Sequence, residues 1–405
     1  MTFFLWYLIA SSILGIGFGY LGWRLISVSK IPRRWKRIGW GGLIGLFLFL
    51  VSSIILQTRA FEEPTGVVAW VTYVVLGLGS SLLTLVIIRD LILVLVKAWT
   101  KSVGFIQKAF GAASAESQPT DDGRRQLLMN TVNLAIMGVA GTMTAYGIYE
   151  ARRRPALITV DIPIPNLPPD LEGFRIVQLT DIHAGLTIRK GFVETIAEMT
   201  EELKGDLIAF TGDLVDGTVP HLRDDVSPMA SLKAPHGKFF VTGNHEYYSG
   251  AEAWVEEADR LGYTVLNNEH RLIQRGTSRV LLAGVTDSTG GQFLPSHASD
   301  PRKAVENAPT ADVKILLAHQ PKSLYQALPF GFDLQISGHT HGGQFFPWNL
   351  LATVGQPYVS GLHRHEKTWV YVSRGTGYWG PPVRLASRSE ITVLRLTKGS
   401  RYPKG

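Results

Sequence analysis

Four stretches of mostly apolar residues, Phe3–Ile26, Ile38–Leu56, Val67–Ile88 and Leu127–Tyr149, dominate the first 150 positions of the chain. Each is about twenty residues long, the length that crosses the hydrocarbon core of a bilayer as a helix. Charged residues fall between these stretches, which argues against a soluble helical core and predicts an all-α membrane region over residues 1–150. Leu91–Trp99 is too short to span alone. It reads as an extension of the third helix or an interfacial segment, with Lys97, Trp99, Lys101 and Lys108 near the headgroups. Gly111–Gly123, rich in Ala, Ser, Gln, Pro, Asp and Gly, has no apolar period and reads as an exposed flexible segment.

Past Pro155 the period changes. Residues 151–171 form a short basic tether and a first strand. From there, β-branched and apolar runs alternate with helical spacing. Phe174–Thr180, Asp206–Thr211, Lys238–Thr242, Val313–Ala318 and Leu334–Ser337 read as buried strands, and Phe192–Leu203 and Glu252–Leu261 as amphipathic helices. Such alternation predicts an α/β sandwich over 172–397 with its site at the C-terminal ends of the strands.

Charge divides the chain at the same place. The first 154 residues hold 16 Lys and Arg against 7 Asp and Glu, and the remainder holds 24 against 26. The basic balance therefore belongs to the membrane region, and no nucleic-acid partner is expected for the near-neutral second part. All eleven histidines lie at or after His183, and there is no cysteine, which excludes disulfides and thiolate ligands.

Where the strands end, polar clusters begin: Asp181-Ile182-His183, Gly212-Asp213 with Asp216, Gly243-Asn244-His245-Glu246, Ala318-His319 and Gly338-His339-Thr340-His341. Oxygen and imidazole donors without sulfur suit manganese, iron or zinc, and the number of donors is enough for two ions. Singly, each cluster has a plainer reading: a helix cap at Asp213, a satisfied core imidazole at His319, a surface pair at His339 and His341. Their joint order at five strand ends favours a metal site. His221, His236, His270 and His297 lack that context and read as surface or core residues, and His363 and His365 as a surface loop.

This ordered set resembles the calcineurin-like metallophosphoesterases over roughly residues 172–397. The run Gly338-His339-Thr340-His341-Gly342-Gly343-Gln344 is most similar to bacterial membrane-associated members. The resemblance implies a four-layer sandwich, two mixed sheets flanked by helices, around two divalent ions. Asp181, His183 and His341 would hold the first ion, Asn244, His319 and His339 the second, and Asp213 would bridge them. It further implies a phosphoester hydrolase in which the ions share a hydroxide and bind the phosphate oxygens. His245 would be a non-ligand proton donor to the leaving group. Asp216 or Glu246 would hold the His245 ring or a ligand from behind.

Substrate and sidedness are less legible. Phe345–Leu351 and Tyr378–Pro382 are aromatic loops close to the clusters, either an apolar wall for a lipid-linked phosphoester or packing for the loops themselves. Lys and Arg after the first and third spans place those segments in the cytoplasm. The chain would then be a multi-pass protein of the cell (inner or plasma) membrane with its catalytic domain outside, although Arg152, Arg153 and Arg154 count the other way. Arg124-Arg125 before the last span has the form of a twin-arginine export signal or of a stop-transfer charge pair. Two alternatives stay open: a cytoplasmic-facing pyrophosphatase of a nucleotide-linked lipid precursor, and a non-catalytic receptor or scaffold.

Overall fold

In a computed structural model, residues 2–59, 66–110 and 122–399 are described, and they divide into two units. The segment read as a flexible linker lies, up to residue 121, outside the described residues.

The first unit contains four helices long and apolar enough to cross a membrane: α1 (Thr2–Leu21), α2 (Arg33–Arg59), α3 (Gly66–Ala109) and α4 (Asp122–Arg152). A π-helical turn, Gly22–Ser27, continues α1. A β-carbon on Gly22 would lie 2.5 Å from the Trp40 ring, so only glycine lets this turn meet α2 so closely. The apolar run Leu91–Trp99 continues α3 without a break, because neither Arg89-Asp90 nor anything after it supplies a helix stop. Polar groups tie three of the segments together. Asp90 on α3 accepts from Arg24 at 2.5 Å and from Arg89 at 2.9 Å, the Tyr20 hydroxyl donates to Asp90, and Arg89 donates to Asn133 on α4. Ionisable groups among apolar helices are tolerated when paired in this way.

The second unit takes in Gly66 and the chain from Gly147, which includes the last turns of α4, and is built on two six-stranded sheets. The strands, in chain order, are β1 (Ala156–Pro165), β2 (Arg175–Leu179), β3 (Leu207–Phe210), β4 (Lys238–Phe240), β5 (Thr264–Val265), β6 (Glu269–Arg275), β7 (Ser278–Gly284), β8 (Val313–Leu317), β9 (Leu334–Ser337), β10 (Gly361–His365), β11 (Thr368–Val372) and β12 (Glu390–Gly399). One sheet has the order β1-β12-β2-β3-β4-β5 and the other β10-β11-β9-β8-β7-β6. Both are mixed: β12 runs antiparallel to β2, and β6 and β10 run antiparallel to their neighbours.

The alternation of the strands decides which residues face which core. Ile176, Leu207, Ala209 and Phe239 turn into the layer between the sheets, where they meet Val280, Leu282, Ile315, Leu317 and Ile336. Their neighbours Val177, Ile208, Phe210 and Phe240 point to the other face and pack beneath α5 (Lys190–Glu202), α6 (Val219–Val226) and α8 (Ala251–Arg260). A one-residue slip in β2 or β3 would exchange these faces, so both cores specify the register. Short helical segments at 301–304 and 324–330 lie among the residues packing the far face of the second sheet, giving helices on both outer faces. The short helix α7 (Asn244–Ser249) starts immediately beyond β4. His363 and His365 correct the loop expectation: they sit on β10, where alternation brings both rings to one face against Tyr358.

Candidate metal centre

The five clusters converge beyond the ends of β2, β3 and β4 from one sheet and β8 and β9 from the other. Gln178 bonds across the gap, donating to Thr211 Oγ1 at 2.8 Å and to the Ser337 carbonyl at 2.9 Å, so the two sets of loops are held in register. Asp181, His183 and His341 form one buried group with donor atoms within 4.8 Å of one another, and Asp213, His319 and His339 form a second. Asp213 Oδ2 lies 3.1 Å from His319 Nε2 and 3.7 Å from His183 Nε2, and so stands between the two groups.

The backbone reaches this arrangement through conformations that L-residues seldom adopt. Asp181, His183, Asp213, His339 and His341 all have φ between +52° and +73°. Each costs about 1–2 kcal/mol against ordinary backbone, and Asp and His tolerate it better than most residues. Concentration of such residues at one point marks a constrained functional site. Close approach of the loops adds a second requirement. A β-carbon on Gly338 would lie 2.2 Å from the Asp181 carboxylate, so glycine is needed there for the loop to reach Asp181.

The ring nitrogens are committed in a pattern that suits cations. His183 Nδ1 meets Asp216 Oδ1 at 3.0 Å and donates to it, which leaves Nε2 as a lone pair. That nitrogen faces His341 Nε2 at 3.0 Å, and Asp181 Oδ1 is 3.4 Å from the latter. His319 donates from Nδ1 to the Thr211 carbonyl at 2.7 Å, and its buried Nε2 faces Asp213 Oδ2 at 3.1 Å. Asn244 Oδ1 is buried and has no hydrogen-bond partner. Buried lone pairs aimed at one another are costly unless something positive lies between them, and divalent ions fit that requirement.

A family model for calcineurin-like phosphoesterases matches residues 174–343. An uncharacterized metallophosphoesterase of Helicobacter pylori is 38% identical over 278 residues, covering 67% of this chain and 72% of its own. The chain belongs to the calcineurin-like metallophosphoesterase family. A transmembrane protein with a metallophosphoesterase domain from Danio rerio is 38% identical over 291 residues, covering 70% of this chain. An uncharacterized metallophosphoesterase of Bacillus subtilis is 30% identical over 270 residues, with 64% of this chain and 92% of that one aligned. The chain spans 65% of the length of the zebrafish relative and 64% of that of a Bos taurus protein of the same description.

Electrostatics separate the members of this metallophosphoesterase site into two kinds. Burial, reinforced by His319, holds the His339 imidazole down to about 3, so it is neutral and free to bind a cation at neutral pH. His341 is likewise held low by burial and by His183. His245 goes the other way. Burial opposes its charge, but Asp213 and Asp216 outweigh burial and raise it to about 9. Its Nδ1 lies 2.6 Å from Asp216 Oδ1, the same oxygen that receives His183. One carboxylate thus orients both a donor of the first group and the His245 imidazole, while, against the cost of burial, Asp213 holds the buried His319 well above the ordinary imidazole range.

Glu246 does not reach either ring through a hydrogen bond. Its carboxylate accepts from the backbone N–H of Gly243 at 2.7 Å, Asp213 at 2.9 Å and Leu214 at 2.8 Å, and so holds the β3 and β4 loops together. Burial and the neighbouring Asp213 push its pKa up to about 7.

Sequence reasoning missed Arg384, which is fully buried and donates to the Gly377, Arg374, Ser387 and His341 carbonyls. Nothing in its loop context, Pro381-Pro382-Val383-Arg384, distinguishes it from a surface arginine.

Proposed function

We propose that this chain is a membrane-anchored, metal-dependent hydrolase of phosphoesters. The observation that carries the reading is the pair of donor groups that meet around Asp213, with His245 held by Asp216 at 2.6 Å close to both His183 and Asp213 and outside both proposed ligand sets. Asp181, His183 and His341 would hold one divalent ion, Asn244, His319 and His339 the other, and Asp213 would serve both. Bound there, manganese, iron or zinc ions would supply positive charge for the phosphate oxygens and an activated water at neutral pH.

The chain's own residues do the rest. Asp216 fixes the His245 ring through Nδ1, which leaves Nε2 to give its proton to the departing ester oxygen. Water joins phosphorus, the P–O bond breaks and the alcohol leaves neutral. Glu246 keeps Asp213 in place through the backbone.

Two experiments test this. Chelation should abolish hydrolysis of a generic phosphodiester or phosphomonoester by the detergent-solubilised protein, added divalent ion should restore it, and elemental analysis should find two ions per chain. Active protein holding no divalent metal after chelation rules the reading out. Asp216→Asn should lower kcat/KM about 10–100-fold, as loss of an outer partner of a ligand does. The loss should be larger for alkyl esters than for p-nitrophenyl esters, whose leaving group needs no proton. Equal losses on both would mean that His245 gives no proton to the leaving group.

We further propose that the catalytic domain faces outward. The charges after the first and third spans support this by the positive-inside rule. Arg152 and Arg153 have another role: Arg152 donates to the Thr187 carbonyl at 2.9 Å, and Arg153 pairs with Glu150 at 2.7 Å. A C-terminal reporter active only in the cytoplasm would reverse this orientation.

A further inference from the structure

Three aromatic side chains that the hydrolytic step does not use stand around His245. The Tyr248 ring meets the imidazole at a centroid distance of 5.1 Å, Trp379 meets it at 5.6 Å, and Phe293 lies 5.6 Å from Tyr248. They come from α7, from the loop before β12 and from the connection after β7.

Each keeps about half of its surface in the open: 55% for Tyr248, 53% for Trp379 and 47% for Phe293. The adjacent aromatics Tyr247 and Tyr378 are buried and hydrogen-bonded, so packing is already served by one member of each pair. Trp379 is held in position. Gln344 donates to its carbonyl at 2.9 Å and accepts from its N–H at 3.0 Å. Just beyond Gln344, Phe346, Leu350 and Leu351 are also exposed.

We propose that this rim receives the hydrocarbon part of the leaving group, and that the substrate is a phosphoester of a lipid alcohol. The inference rests on the hydrolytic reading above, because it is His245 that marks the leaving-group side. When water adds to phosphorus and the P–O bond to the lipid alcohol breaks, the proton of His245 passes to the alcohol oxygen. The carbon chain of that alcohol must therefore extend past the ring that donates, and the three aromatics are what it meets. Aliphatic side chains beyond Gln344 continue a surface suited to hydrocarbon, and the chain's four apolar helices bring it to a bilayer, where lipid alcohols are found.

The test uses the full chain in nanodiscs, loaded with manganese, and alkyl phosphodiesters whose chains run from two to eight carbons. For wild type, kcat/KM should rise up to about fourfold per methylene while the chain still gains contact with the rim. Trp379→Ala combined with Tyr248→Ala should flatten that slope, whatever the absolute rate. Calorimetric titration with non-hydrolysable alkylphosphonates of the same lengths gives the same comparison without turnover. An equal slope in variant and wild type, or a preference for nucleoside diesters over alkyl ones, overturns the proposal. Length-dependent, rim-dependent phosphonate binding by a protein that hydrolyses nothing would instead overturn the hydrolytic reading and leave the rim standing. Phosphonate affinity that does not rise with length removes the rim.

Discussion

Asp213→Asn is expected to lower kcat/KM at least about a hundredfold, since even an outer partner of a ligand is worth 10–100-fold and Asp213 belongs to one donor group and lies 3.7 Å from His183 of the other. Asparagine keeps the volume, tolerates the left-handed backbone at φ 57° and retains an oxygen for the His245 N–H. The fold should therefore persist, and the loss can be assigned to the missing charge. The informative measurement is thermal unfolding with and without divalent ion. At a hundredfold excess over Kd, a ligand bound only to the native state adds about 2.7 kcal/mol, roughly 5–10 °C for a domain of this size. Wild-type protein should show that rise and Asp213→Asn should lose most of it. An equal rise in both would place the ions elsewhere.

Glu246→Ala is expected to unfold the domain at markedly lower temperature. The carboxylate is the partner of three backbone N–H groups, those of Asp213, Leu214 and Gly243, and the side chain is completely buried. Each donor left bare in the interior costs about 1–3 kcal/mol, so the three together cost about 3 kcal/mol or more out of a typical domain stability of about 5–15 kcal/mol. A fall of roughly 6–12 °C follows. Glu246→Gln keeps one carbonyl oxygen and should fall between the two. Calorimetry on both variants, together with elemental analysis, separates this from a direct role at the ions. Loss of bound metal without loss of stability would show that Glu246 is not a backbone clamp.

The contrast between these two carboxylates shows what was legible in the sequence. Asp213 stands directly after an apolar strand and a glycine, a context that fixes its direction toward the strand end, and position was enough to find it. Glu246 stands in the same kind of context, but its partners are the backbone of a loop 32 residues away, and no spacing rule connects them. Asp216 was visible as a candidate but its double use was not, because sharing one oxygen between His183 and His245 depends on how three loops meet. The five left-handed residues leave no mark in composition at all, since Asp and His are ordinary ligand types in either conformation. Long apolar runs made the helices of the first unit plain, and of the two readings of Leu91–Trp99, an extension of the third helix or a separate interfacial segment, the structure shows the extension, with α3 running on to Ala109. The charged pair inside that apolar pattern makes no boundary, because Asp90 and Arg89 find partners beyond their own helix. The rim residues Tyr248 and Phe293 lay outside the two aromatic loops singled out, because an isolated aromatic carries no signal until its neighbour is known.

β12 fills the slot between β1 and β2, pairing with β1 over ten positions and with β2 over four. The strands that carry Asp181, Asp213 and Asn244 are thus translated long before the strand that closes their sheet. At a synthesis rate of about 5–20 residues per second, the interval between β2 and β12 is roughly 10–40 s. Throughout that time the nascent domain presents the edge of β2 unpaired. The fold therefore has a built-in dependence on ribosome speed and on whatever shields that edge, and a stall shortly before residue 390 should yield an aggregation-prone chain that already carries every proposed metal ligand.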